Sequence, residues 1–177
     1  MKSNQEVFKV LSEGNPNSLG RLLEVLEWIK AKEFTIEGLL DLYEKEDRYV
    51  SMRVSNIFKR LWREDAQIIL THIDRMINQA QSLKNPTFRW TLAQMYDELF
   101  LELTAKQRTQ FIIEIQNNLN LGDDWIMLSQ SMKALQKALN YGFNIKSIKS
   151  RLLALKNHKS KVVRTQAAKL MLRIQSS

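Results

Sequence analysis

Hydrophobic residues in the middle of the chain recur at the spacing of one face of an α-helix. Counted from Phe88, apolar side chains stand at offsets of +4, +5, +7, +8 and +11, namely Leu92, Ala93, Met95, Tyr96 and Leu99. Positions at these offsets share one side of an amphipathic helix. Pro86 fits the first turn of such a helix, where an amide N–H would be unpaired in any case. The pattern therefore predicts a helix that begins near Pro86 and buries one face.

The same set of offsets, which we call the template, recurs from four other starting residues. The five copies start at Ser18, Val50, Phe88, Met127 and Val163, which are 32, 38, 39 and 36 residues apart. A helical pattern repeated with this period is typical of helical-repeat arrays. The template thus predicts five related helices.

A second helical pattern precedes each copy of the template. It covers residues 4–12, 36–45, 66–82, 105–119 and 145–156. Each pair of helices carries apolar residues on more than one side, so it must be covered by the neighbouring pairs. We therefore predict an all-α fold, an α-α superhelix (solenoid) of about five helix pairs without any sheet, as a single domain over residues 1–177.

The phase of the two patterns predicts which side chains form the core. We expect twelve apolar residues to be buried: Leu22, Leu26, Ile57, Phe58, Leu92, Met95, Leu135, Leu170, Ile73, Ile77, Ile112 and Leu152. Helix starts are predicted from capping residues, at Thr35, at the capping box of Thr104 and Gln107, and at Asp123 or Asp124.

Two copies of the template open with an apolar–arginine pair, followed by two small or apolar residues. These are Val163-Arg164 with Ala167-Ala168, and Phe88-Arg89 with Leu92-Ala93. In this the chain resembles HEAT-type repeats, although Leu19, Ser51 and Leu128 replace the arginine in the other copies. The template helix is the second helix of each pair. The resemblance implies that these second helices line a concave face that binds other macromolecules, mostly proteins and in some members nucleic acid. It also implies that the arginine bonds neighbouring loops or helix ends.

The net charge of +8 is unevenly distributed along the chain. Residues 1–124 contain 16 Lys and Arg against 19 Asp and Glu, whereas residues 125–177 contain 11 Lys and Arg and no acidic residue. Such asymmetry favours an acidic partner. A basic end that only keeps the protein in solution would show the same asymmetry, so both interpretations stay open.

The candidate binding residues are cations expected on the exposed face of the second helices. Template offsets +6 and +10, together with the repeat arginine of the last copy, give Lys133, Lys137, Arg164, Lys169, Arg173 and Arg60. Such side chains can pair with carboxylates or neutralise phosphates. We therefore predict a protein partner with an acidic surface, with nucleic acid as a possible partner. The oligomeric state is left open.

The sequence contains no pattern that indicates an active site. It has no cysteine and two histidines, so a zinc site would lack ligands. No Ser/His/Asp set, glycine-rich phosphate loop or paired-carboxylate signature occurs, so we predict no catalytic residue, metal or cofactor. The opening MKSNQEVFKVLS lacks the apolar stretch of a signal peptide, and we expect a soluble, cytoplasmic protein.

One enzymatic alternative follows from the resemblance. HEAT-like DNA alkylation glycosylases are similar in architecture and basicity, and they would need a carboxylate near aromatic residues on the concave face. The nearest local set in this chain is Arg89, Trp90, Tyr96 and Asp97. No glycosylase motif matches residue by residue, so this alternative depends on the analogy of fold.

Overall fold

The computed structural model describes residues 1–15 and 18–176, and these residues are helical wherever they form regular structure. Its α-helices are α1 (Asn4–Ser12), α2 (Leu22–Lys30), α3 (Ile36–Asp41), α4 (Arg48–Glu64), α5 (Ala66–Leu70), α6 (Ile73–Ala80), α7 (Pro86–Leu99), α8 (Ala105–Asn118), α9 (Trp125–Asn140), α10 (Lys149–Leu155) and α11 (Lys161–Gln175). Two short 3-10 helices, Leu42–Lys45 and Lys146–Ile148, follow α3 and precede α10. The described residues include no strand, so the all-α prediction is confirmed.

The chain divides into two compact units, Met1–Phe88 and Arg89–Ser177, with the division inside α7. In the first unit, α4 packs against α1, α2 and α5, and α1 also contacts α3. In the second unit, α9 packs against α8 and α11, and α10 packs against α11. The stacking of five pairs into one superhelix stays a prediction.

The template copies lie in α2, α4, α7, α9 and α11, and all twelve predicted core residues are buried. Among the apolar template positions, Ile29 and Ala168 are only partly buried, and one position is exposed. Leu23, at offset +5 of the first copy, is 53% exposed. Leu22, Val25 and Leu26 of the same copy are buried, so the phase of the template holds in α2 and Leu23 lies outside the buried face of this helix.

The helix predicted over residues 66–82 is broken into α5 and α6. Between them the Thr71 hydroxyl donates to the carbonyl of Ile68 at 3.2 Å, a local bond that competes with helix continuation. His72 then turns its Nδ1 to within 3.0 Å of Glu37 Oε1 on α3. The described residues consequently contain more helices than the ten expected.

The predicted capping residues are confirmed. Thr35 accepts from the amide of Gly38, Thr104 and Gln107 form the capping box, and Asp124 accepts from Met127 at the start of α9. Asn85 Oδ1 accepts from the amides of Thr87 and Phe88, so α7 begins at Pro86 as expected. In the sequence, Pro16 precedes Ser18 by two residues, as Pro86 precedes Phe88, but Pro16 lies outside the described residues.

Tyr96 places a polar atom in the aromatic core of the second unit. Its ring lies 5.3 Å from that of Phe100 and 5.8 Å from that of Phe111, measured between centroids. Its buried hydroxyl has no hydrogen-bond partner among the described residues, and burial raises the pKa of Tyr96 far above its ordinary value.

We expect Tyr96→Phe to raise the free energy of unfolding by about 1 kcal/mol at pH 7, because it removes an unpaired buried hydroxyl. The gain should grow above pH of about 10, where Tyr96 ionises in the unfolded chain but not in the folded one, so that wild type loses stability. Urea denaturation at several pH values measures this. The matched control is Tyr43→Phe, which should be destabilising because Tyr43 Oη lies 2.7 Å from Ser55 Oγ. A Tyr96→Phe variant less stable than wild type at pH 7 would contradict the prediction.

Candidate binding groove

Two of the predicted binding lysines already face a carboxylate. Lys133 Nζ on α9 lies 2.6 Å from Asp97 Oδ2 on α7. Lys137 Nζ lies 3.9 Å from Asp97 Oδ1 and donates to the Asp97 carbonyl. This pairing lowers the positive charge that the sequence predicted for this part of the second-helix face.

The three predicted cations on α11 differ in their surroundings. Arg164 donates to the carbonyls of His158 and Lys159 at 2.7 and 2.9 Å, which confirms its expected contact with a neighbouring loop. Arg173 donates to Asn140 Oδ1 at 2.6 Å, at the end of α9. Lys169 is exposed. The structure therefore assigns Arg164 to the support of a loop and leaves Lys169 at the surface.

Arg89, the other repeat arginine, is buried and bonds side chains of α8, including Asn118 at the end of that helix. Its Nη1 lies 2.9 Å from Glu114 Oε2 and 3.4 Å from Asn118 Oδ1, both on α8. Asn118 in turn donates to Ser131 Oγ on α9 at 2.9 Å. The network links α7, α8 and α9 inside the second unit, where no partner can reach it.

The two compact units differ in net charge, and their boundary does not coincide with the division at residue 124 used above. Residues 1–88 hold 13 Lys and Arg against 13 Asp and Glu, and residues 89–177 hold 14 against 6. The first unit is thus neutral and the second carries the whole excess of +8. Any cationic surface on the neutral first unit must therefore result from folding, which places basic side chains close together and acidic side chains elsewhere.

Such a concentration occurs in a groove between α2 and α4, and it contains the predicted residue Arg60. Asp47 caps the start of α4, and its Oδ1 accepts from the amides of Tyr49 and Val50 at 2.9 Å. Its apolar face packs towards the core, and its opposite face carries the groove. The residues that line the groove are Leu26, Lys30, Asn56, Lys59, Arg60, Arg63 and Glu64.

Cations outnumber carboxylates in this groove by four to one. The one carboxylate, Glu64, lies 2.8 Å from Lys30 Nζ, and this hydrogen bond raises the pKa of Lys30. Lys59 and Arg60 have no ion-pair partner within the part of the chain that the structure describes. Leu26 is buried and supplies an apolar floor. The groove can therefore hold an acidic segment with an apolar side.

Sequence reasoning identified Arg60 in this groove but missed Lys30, Lys59 and Arg63. A local signal was present, because Lys59, Arg60 and Arg63 stand at i, i+1 and i+4 on one helix. The neutral balance of the surrounding sequence concealed it. Lys30 could not be found in this way, since it comes from another helix.

Neither a metal site nor a membrane span is found within the described residues. No group of three or more His, Asp or Glu side chains is placed to hold a metal ion there. None of the helices in residues 1–15 and 18–176 has the length and apolar character needed to cross a bilayer. No protein-family model, curated protein or solved structure matches the chain.

Proposed function

We propose that this chain is a non-enzymatic, HEAT-like helical-repeat scaffold that binds an acidic segment of another protein along the exposed faces of its second helices. The observation that carries the proposal is the groove between α2 and α4. Both helices are template copies, and the groove gathers Lys30, Lys59, Arg60 and Arg63 on their outward sides. The recurrence of the template in α2, α4, α7, α9 and α11 supports the repeat architecture.

The chemistry of the groove favours carboxylate side chains. Arginine binds a carboxylate through two parallel N–H donors, and lysine adds a point charge. Each exposed ion pair contributes only about 0.2–1 kcal/mol, so an affinity useful to a cell requires several acidic residues and an apolar contact. Leu26 is the apolar residue that lines the groove together with these cations.

The surroundings of the groove favour a protein over a nucleic acid. Glu64 lies inside it, and Glu27 Oε1 lies 3.8 Å from Lys30 Nζ. A nucleic acid presents a phosphate at every nucleotide and would meet both carboxylates. A protein segment can space its acidic residues to meet Lys59 and Arg60 and place neutral residues elsewhere.

The glycosylase alternative gains no support from the geometry of its nearest residue set. Tyr96 is buried, Arg89 is paired with Glu114, and Asp97 is paired with Lys133. A base-binding site would need an accessible aromatic ring beside an available carboxylate. We therefore keep nucleic acid as an outcome of the binding test.

We expect the double variant Lys59→Glu with Arg60→Glu to bind an acidic peptide at least about tenfold more weakly than wild type, because two attractive charges become repulsive. The measurement is fluorescence anisotropy with a labelled peptide of glutamates and leucines over a salt series. Wild-type affinity should fall as salt rises.

The matched control is Lys9→Glu with Lys84→Glu, which makes the same change of charge at exposed sites of the first unit outside the groove. It should retain most of the wild-type affinity. A labelled DNA duplex provides the comparison ligand. Absence of peptide binding by wild type at low salt, or tighter binding of the duplex than of the peptide, would refute the proposed function.

A further inference from the structure

Two large apolar side chains lie exposed at the beginnings of neighbouring helices in the second unit. Trp125 opens α9 and is 50% exposed, and Val162 lies in the first turn of α11 and is 46% exposed. The helices α9 and α11 pack together, and the two side chains line one pocket with Lys159 and Ser160. We call these four residues the tryptophan patch.

The core of the second unit does not need either side chain. In α9 the buried positions begin at Met127 and Leu128, and in α11 the neighbouring Val163 is fully buried. Single exposed apolar residues are common, but here two from different helices share a pocket. Covering both would remove apolar surface from water, which favours association.

We propose that the tryptophan patch is a second docking site, which holds an apolar side chain of an acidic segment of a partner protein. It takes the same class of partner as the proposed function but uses other residues in the other unit. Its role can therefore be tested separately from that of the groove.

Charge around the patch identifies the acidic character of the segment. Lys159 lines the patch, and Lys156 and Lys161 are exposed on either side of it in the chain. None of the three lysines has an ion-pair partner within residues 1–15 and 18–176. Residues 125–177 contain no carboxylate side chain that could pair with these lysines, so an acidic partner segment would be complementary to them.

The two aspartates before Trp125 favour a protein segment over a nucleic acid. Asp124 accepts the Met127 amide at 2.8 Å, and Asp123 Oδ1 lies 3.8 Å from Arg151. A base stacked on Trp125 would bring its flanking phosphates towards these carboxylates. A peptide can instead direct its acidic residues to the side of Lys159 and its apolar residue to the side of Trp125.

The loop that forms one wall of the patch is held in place before any partner binds. The Arg164 guanidinium donates to the carbonyls of His158 and Lys159, and the Ser160 amide donates to His158 Nδ1 at 3.0 Å. A preformed site loses little conformational freedom on binding. A neighbouring groove shares Lys159 with the patch and is lined by Asp123, Arg151 and further residues of α10 and the loop after it.

The test compares two labelled acidic peptides that differ at one central residue, leucine in one and serine in the other. Wild type should bind the leucine peptide about tenfold more tightly in anisotropy titrations, because the leucine is covered by the patch. Trp125→Ser should remove this preference. The control Leu172→Ser, an exposed apolar residue further along α11, should keep it. Circular dichroism checks that both variants stay folded.

Each other outcome overturns the inference in a distinguishable way. If Trp125→Ser keeps the leucine preference while Lys59→Glu with Arg60→Glu loses peptide binding, the groove is a binding site and the patch is not. If neither peptide binds wild type, the patch and the proposed function both fall. If a single-stranded oligonucleotide binds and is lost with Trp125→Ser while the peptides do not bind, the partner class is wrong.

Discussion

Replacing Arg53 by methionine should lower the free energy of unfolding by about 3 kcal/mol or more. Arg53 on α4 is 3% exposed, and its guanidinium donates to four backbone carbonyls at the end of α1 and before α2. It donates to the carbonyls of Glu13 at 2.7 Å, Asn15 at 2.8 Å and Ser18 at 3.3 Å, and also to that of Leu11. Methionine fills similar space but leaves these carbonyls without their donor.

Urea denaturation followed by circular dichroism and by tryptophan fluorescence measures this loss, and two probes are needed because separate units can unfold separately. Arg53→Lys is the matched control. It keeps the positive charge but cannot reach all four carbonyls, so we expect an intermediate loss. A methionine variant within about 0.5 kcal/mol of wild type, as for an ordinary surface substitution, would show that the turn does not need Arg53.

Gly20 gives a second test of the same contact. Its φ is +55°, and a Cβ atom added there would lie 2.7 Å from Arg53 Cζ. Gly20→Ala should therefore be destabilising both through its backbone and through the collision with Arg53. In the Arg53→Met background the collision with the guanidinium is absent, so Gly20→Ala should act there through its backbone alone. The loss of stability in the double variant should therefore be smaller than the sum of the losses in the two single variants.

Replacing Glu114 by leucine should cost about 3–5 kcal/mol, because it leaves the Arg89 charge buried without its carboxylate. Arg89 and Glu114 are 2% and 8% exposed, and their charged atoms lie 2.9 Å apart. Thermal or urea denaturation of the variant measures the loss.

The double variant Arg89→Met with Glu114→Leu is the decisive control for this ion pair. A buried pair replaced by apolar residues of similar volume is often no less stable than the original. We therefore expect the double variant to recover most of the stability that Glu114→Leu loses. Equal losses in the single and double variants would mean that packing around the pair, and not its charge, determines the effect.

The sequence alone determined the helices and most of the core. The template offsets located α2, α4, α7, α9 and α11, because apolar residues at this spacing share one face and that face must be buried. This information comes from residues close together in the chain. Two predictions made from it differ from the structure. Leu23 is exposed although its neighbours in the same template copy are buried, and α5 and α6 separate where Thr71 bonds the backbone.

Tertiary structure decided which charges are available to a partner. The spacing of Lys133 and Lys137 on α9 predicted that both would be available to a partner. Both instead lie close to Asp97, which comes from another helix. Arg53 stands two positions beyond Ser51, where the repeat pattern lacks its arginine, and its partners lie 35 to 42 residues away. Spacing along one helix cannot reveal such partners.

The basic groove is the converse case, since the sequence did not predict most of the cations that the structure brings together there. Its cations come from α2 and α4, in a unit whose charges sum to zero, so no count along the chain distinguishes them. Periodicity is a property of consecutive residues and can be read from the sequence. The availability of a charge depends on which side chains of distant helices meet, and that is set only when the helices pack.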